Sequence, residues 1–215
     1  MFLVGDGLRK KASNPDCFVL NYEIESWDDI GETAAIWVNV PQIDAGSTTD
    51  YIHLYYNNTA AAPQPSTGTW TSGFGVYHLD EDPGPGLPGD IVDSAAIPLP
   101  RNGQAIGMES ADLVAGLIGD ATHFGGDGSG DYIDLPSTDV GANFTISAWI
   151  RPDSTNSGIQ TILANSTSGS DTDGFRFFVN TVSTEDGSIR FETGTSSAGD
   201  SAYSAAGVIN FDEWN

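Results

Sequence analysis

Hydrophobic and polar positions along this chain alternate mostly with a period of two. Leu20-Asn21-Tyr22-Glu23-Ile24-Glu25 alternates apolar with polar residues. Residues 34–40 are rich in β-branched and aromatic side chains and stop at Pro41. Tyr51-Ile52-His53-Leu54-Tyr55-Tyr56 follows the turn-forming Asp44-Ala45-Gly46-Ser47. The pattern predicts three strands, the last two as a hairpin or as neighbours. Further on, residues 132–135 run up to Pro136, and residues 144–150 put Phe144, Ile146, Ala148 and Ile150 on one face. Residues 175–179 and 189–192 flank a segment with Asp186-Gly187, a hairpin-type turn. Only residues 110–115 look faintly helical, and Gly116 ends them. Short strands, frequent turns and almost no helix predict an all-β protein.

Two shifts in composition punctuate the chain. Residues 59–73 hold small residues, Pro, Ser and Thr, as a linker does. Asp82-Pro83-Gly84-Pro85-Gly86-Leu87-Pro88-Gly89-Asp90 predicts a long loop, since neither a helix nor a central strand tolerates it. The expected organisation is a small β domain over 1–58, a linker over 59–73 and a β-sandwich over 74–215.

Composition narrows the function. Thirty Asp and Glu stand against seven Lys and Arg, a net charge of −23. Such a chain lacks the clustered cations that nucleic acid or anionic lipid requires. Apolar residues make up 39 %, with five Trp, seven Tyr and ten Phe, enough for one or two cores. One cysteine, Cys17, excludes an internal disulfide framework and a zinc site built on several thiolates. No stretch reaches the roughly 18 apolar residues of a membrane span. The start, Met1-Phe2-Leu3-Val4-Gly5-Asp6-Gly7, lacks the features of a signal peptide, so an export signal is expected outside this chain.

Several blocks carry a resemblance. Leu20 to Trp27, Ile36-Trp37-Val38-Asn39-Val40-Pro41 and Ile52-His53-Leu54-Tyr55-Tyr56-Asn57-Asn58 together resemble a small prokaryotic domain of unknown function (DUF2341). That domain occurs on secreted and surface proteins, commonly just before a sandwich similar to laminin G and concanavalin A. The second part resembles that sandwich: Gly75-Val76-Tyr77-His78-Leu79-Asp80-Glu81, then Val92-Asp93-Ser94, then the run from Leu117 to Asp127, then Gly130-Asp131-Tyr132-Ile133, then Phe144 to Pro152. The resemblance implies an antiparallel jelly-roll fold. In the family, the Phe211-Asp212-Glu213-Trp214-Asn215 type of segment introduces further strands, so the sandwich is expected to be incomplete at its C-terminal end. The chain then reads as part of a longer, multidomain surface protein.

Candidate chemistry is sparse. In Asp127-Gly128-Ser129-Gly130-Asp131, glycines let carbonyls turn inward while Asp127 and Asp131 add carboxylates, a set suited to Ca²⁺. Sandwiches of the resembling family often hold calcium near an edge, and that resemblance would add Asp80, Asp82 and Asp93. An acidic turn without any ion is the competing reading for each. Asp171-Thr172-Asp173-Gly174 is a weaker turn of the same kind. Glu23 and Glu25, two apart on a strand, share a face and could match the roughly 5–5.5 Å of a retaining glycosidase pair. A solvent-facing strand side explains them more simply. His53, His78 and His123 have no neighbour at metal spacing and read as strand histidines packed among aromatics; Cys17 reads as a small buried residue. There is no nucleophile elbow, phosphate loop or dinucleotide fingerprint.

Aromatic residues on loops can stack on sugar rings, and Trp70, Tyr77 and Tyr203 are the candidates. Trp37 and Trp149 are explained by packing on strands. The function expected is a non-catalytic adhesion or carbohydrate-binding module of an extracellular or cell-surface protein, with Ca²⁺ as its candidate ion. Its partner would be a polysaccharide, a surface glycan or a surface protein. The alternatives are an accessory or degenerate domain of a polysaccharide-degrading enzyme, and a purely structural spacer of a surface fibre.

Overall fold

The structure is a computed structural model that describes residues 8–11, 17–46, 48, 52–54, 68–71, 74–125, 130–136, 140–141, 143–156, 158–166, 173–181, 183–195 and 198–215. Two compact units divide the chain, Met1–Pro136 and Ser137–Asn215. The linker expected at 59–73 falls mostly outside the described residues. All strand ladders are antiparallel, and no α-helix occurs among the described residues.

In the first unit the strands are β1 (Leu8–Lys11), β2 (Cys17–Leu20), β3 (Tyr22–Asp28), β4 (Thr33–Val38), β5 (Ile52–Leu54), β6 (Gln104–Ile106), β7 (Leu113–Ala115), β8 (Asp120–Thr122) and β9 (Tyr132–Asp134). They form a β2-β1-β5 sheet and the pairs β3-β4, β6-β9 and β7-β8. The faint helix of 110–115 is a single 3₁₀ turn, Ser110–Asp112, leading directly into β7. The expected pairing of the second and third strands does not form: β4 folds back on β3, and β5 pairs with β1. Turn chemistry decides this. Asp28 Oδ1 accepts the Ile30 and Gly31 N–H groups at 2.9 and 3.0 Å, closing a tight connection. Those two bonds hold the Asp28 carboxyl below its usual range.

A β-bulge interrupts the β3–β4 register between Ile24 and Ser26. Before it, Tyr22 and Ile24 oppose Val38 and Ile36; after it, Trp27 opposes Ala34. The extra residue shifts the alternation by one, so Trp27 rejoins the face of Tyr22, Ile36 and Val38. These side chains, with Leu20, form one core cluster. Glu23 and Glu25 are left together on the opposite face.

A second cluster holds Ile91, Ala105 and Met108, packed against Tyr77, Leu79 and Ile133. The Pro/Gly-rich 82–90 segment is a loop, and it is packed rather than loose. Asp82 accepts the Gly84 N–H and the Ser110 hydroxyl, Pro83 is fully buried, and a Cβ on Gly84 would lie 2.5 Å from the Ser110 nitrogen. Buried Asp93 organises the adjoining loops. Its Oδ1 accepts the Val76 and Ala95 N–H groups and its Oδ2 accepts that of Arg101, all within 2.9–3.0 Å.

The second unit is an antiparallel meander of β10 (Gln160–Ala164), β11 (Asp173–Val179), β12 (Ile189–Thr195) and β13 (Gly199–Tyr203). The expected hairpin joins β11 to β12. Buried Asn180 accepts the Gly187 N–H and donates to the Gly158 carbonyl, and Gly187 takes the left-handed φ of +61°. Strand alternation then sorts the side chains. Phe175, Phe177 and Phe191 share one face, where the Phe144 ring lies 5.3 Å from Phe175 and 5.8 Å from Phe191. Residues 144–149, predicted as a strand, join no ladder among the described residues; Ile150 alone exchanges two backbone hydrogen bonds with Asn215. Their alternation is still used, because Phe144 and Ile146 line a space of about 660 Å³ opposite Phe177 and Phe191.

Tyr77 gives the first unit an alkaline signature. Its hydroxyl donates to the Arg101 carbonyl at 2.7 Å, and burial, then the Asp93 charge, push the phenol up to about 12 against the opposing Arg101. Unfolded tyrosine ionises near 10.0, so the stability tied to Tyr77 is whole below that pH and is lost as pH rises through about 12. Denaturant titrations across this range are expected to show that fall, and Tyr77→Phe to flatten it. Ultraviolet absorbance should lose one late-titrating phenol in the variant.

Candidate functional site

Two side-chain groupings stand out, one in each unit. The first grows from the bulge in β3. Glu23 and Glu25 share the face of Trp37, whose partner in the ladder is Glu23. The Trp37 indole donates to Glu25 Oε2 at 2.6 Å and the Trp70 indole to Glu23 Oε2 at 2.5 Å. His78 lies between the carboxylates, with Nδ1 2.6 Å from Glu25 Oε2 and Nε2 3.4 Å from Glu23 Oε2. The Trp37, Trp70 and His78 rings sit 5.3–6.1 Å apart. The Glu25 and His78 side chains are only 4 % and 11 % exposed, and Glu23 is 22 % exposed.

This geometry corrects the solvent-facing reading of Glu23 and Glu25. It equally argues against a hydrolytic pair, because indole and imidazole groups already occupy one oxygen of each carboxylate and almost no surface is open to a substrate. The network ties β3 and β4 to residues 70–78. Of the three histidines, His78 packs among aromatics as expected. His53 is exposed on β5, and His123 is 56 % exposed with Nδ1 3.6 Å from Asp112.

The second grouping lies on the sheet of the second unit, on the face opposite the phenylalanines. Register aligns Thr161, Phe178, Arg190 and Tyr203 in one row across four strands, and Ala164, Arg176, Glu192 and Ser201 in the next. Arg176 pairs with Glu192 at 2.5 Å. Arg190 has no such partner among the described residues: its guanidinium lies 4.9 Å from the Tyr203 ring centroid, and its Nε is buried without a hydrogen-bond acceptor. Tyr203 is 68 % exposed. An open aromatic ring beside an unpaired guanidinium can stack on a flat apolar surface and donate hydrogen bonds to oxygen atoms at its edge.

The other predicted residues fall elsewhere. Trp70 belongs to the buried network, and Tyr77 is half-buried with its hydroxyl engaged. Neither offers a free ring face comparable to Tyr203. Trp149, assigned to packing, is 58 % exposed. Asp127 and Asp171 lie outside the described residues. Asp93 and Asp82 spend both carboxylate oxygens on the fold, Asp131 accepts the Gly125 N–H at 2.9 Å, and Asp80 is exposed. Among the described residues no three His, Cys, Asp or Glu side chains converge as metal ligands do.

Comparison with known families follows the same division. Residues 7–84 match the model of a domain of unknown function (DUF2341), and residues 127–215 match that of the concanavalin A-like lectin/glucanases superfamily. The order is the one the resemblance implied. No curated protein and no solved structure matches the chain. The second match spans the whole four-stranded sheet, including the Arg190–Tyr203 row. The sequence reading put Tyr203 on a loop, whereas it ends β13, beside β12, and only that register brings it opposite Arg190.

Removing His78 should expose the cost of the buried carboxylates. His78→Ala leaves Glu25 without its imidazole partner, and the first unit is expected to lose about 3 kcal/mol or more. Chemical denaturation followed by tryptophan fluorescence measures this, since Trp37 and Trp70 report on the network. An unchanged midpoint would refute a stabilising role.

Proposed function

We propose that this chain is a non-catalytic carbohydrate-binding or adhesion module of a secreted or cell-surface protein. The observation that carries the reading is the exposed Tyr203 ring beside Arg190 on the sheet that matches the lectin/glucanases superfamily. A pyranose has one flat C–H face that an open aromatic ring can cover, and equatorial hydroxyls that guanidinium N–H groups reach. The acidic balance favours a hydrated, non-aggregating surface, as a module displayed in solvent needs. No helix among the described residues is long and apolar enough to cross a membrane.

Binding to a glycan array, with affinities of the hits measured by calorimetry, tests the proposal. Tyr203→Ala is expected to weaken the best ligand by roughly three- to tenfold, the size of one aromatic contact. Tyr77→Phe should leave that affinity unchanged, since the Tyr77 ring is not displayed. An array with no ligand above background would overturn the carbohydrate reading in favour of a structural spacer.

A further inference from the structure

We infer that the Phe178–Arg190–Tyr203 row binds a carboxylate-bearing sugar, a uronic acid residue, with Arg190 holding the carboxylate and Tyr203 the pyranose face. This rests on the carbohydrate-binding reading above and specifies its ligand class. The chain has five arginines in all, and register places two of them on one face of one sheet. Glu192 neutralises Arg176 at 2.5 Å. Among thirty acidic residues, none described pairs with Arg190, although carboxylates are the most abundant charged groups available.

Arg190 is also held in place. Phe178, only 2 % exposed, stands beside it on β11, and Tyr203 stands beside it on β13 with the guanidinium 4.9 Å from its ring. The Tyr203 ring against the guanidinium limits the rotamers of a long side chain, so less freedom is lost when a ligand binds. Its buried, unsatisfied Nε is a polar group already stripped of water. A planar carboxylate engages two guanidinium N–H groups at once, which a sugar hydroxyl cannot do.

The overall charge of −23 works against polyanions, and this selects among anionic sugars. Beyond the roughly 8 Å screening length at physiological salt the distant acids matter little, whereas a guanidinium–carboxylate contact is far shorter. One unpaired arginine suits a single carboxylate. A densely sulfated polymer would bring many charges to a sheet face that offers one unpaired guanidinium among the described residues. A uronate oligosaccharide fits better.

The test uses oligosaccharides of galacturonate, glucuronate and mannuronate, each paired with its methyl ester, and a sulfated oligosaccharide. Calorimetry with the full chain at physiological ionic strength measures each affinity. At least one acid should bind roughly tenfold tighter than its ester, the size of a charge-assisted contact. Arg190→Gln should bring the acid down to the ester's affinity, and Arg190→Lys should keep the charge yet lose most of the preference. Tyr203→Ala should weaken acid and ester alike. Thermal melts check the folding of each variant, and should Arg190→Gln fail to fold, the lysine variant carries the comparison. Equal binding of every acid and ester, or preference for the sulfated sugar, overturns the uronate assignment while carbohydrate binding stands. No binding to any sugar, charged or neutral, overturns both.

Discussion

A carboxylate taken out of water must be met by N–H donors, and this chain has few cations to supply them. With seven Lys and Arg against thirty Asp and Glu, ion pairing cannot compensate the acids that the fold draws inward. The structure turns to backbone amide and ring N–H donors. Asp93 is held by three backbone amides, and Glu23 and Glu25 by two indoles and one imidazole. Several loop positions in the first unit follow from where those donors have to stand. Asp93 fixes residues 76, 95 and 101 relative to one another, and the glutamate pair fixes residues 70 and 78 on β3 and β4. Acidic residues that look like a metal-binding surface in sequence are, in part, the scaffold of the loops.

The same scarcity gives Arg190 its meaning. Where a cation is rare, leaving one on a sheet face without a carboxylate needs a reason, and the neighbouring pair shows that the sheet can supply one. Arg176 and Glu192 sit one row away with matched register. Had Arg190 only to be neutralised, an acid at position 178 or 203 would have done so. Both positions carry aromatic rings instead, and that of Tyr203 orients the Arg190 guanidinium without discharging it. That difference between adjacent rows is what separates a structural arginine from one free for a ligand.

Much of the fold was legible in the sequence, because strand alternation is a short-range signal. The strands predicted over 20–25, 34–40, 132–135, 175–179 and 189–192 correspond to β3, β4, β9, β11 and β12, with ends shifted by a few residues, and Asp186-Gly187 lies within the connection between the last two. The pairing of β4 was not legible, since it depended on Asp28 capping a turn that the composition did not advertise. Residues 144–150 show the opposite case: the clearest alternation in the chain makes a packing surface rather than a ladder, because side-chain periodicity reports which face is buried and not which backbone groups are paired. Glu23 and Glu25 misled for a third reason. Alternation with Tyr22 and Ile24 put them on the non-core side, and nothing local revealed that His78, more than fifty residues on, covers that side.

The candidate sugar site was half legible for a related reason. An exposed tyrosine on a short polar stretch, Gly199–Tyr203, is visible in sequence, and so is its capacity to stack. Its partner is not, because Arg190 lies thirteen residues earlier and meets Tyr203 only through the β12–β13 register. A slip of one residue would turn Arg190 or Tyr203 to the phenylalanine face and dismantle the row. The β11–β12 register is held by the aromatic face: Phe177 opposes Phe191 so that the rings pack, which sets Phe178 opposite Arg190, and the β12–β13 ladder in turn sets Arg190 opposite Tyr203. The hydrophobic side of the sheet thus sets part of the geometry of the polar side, where Arg190 and Tyr203 meet.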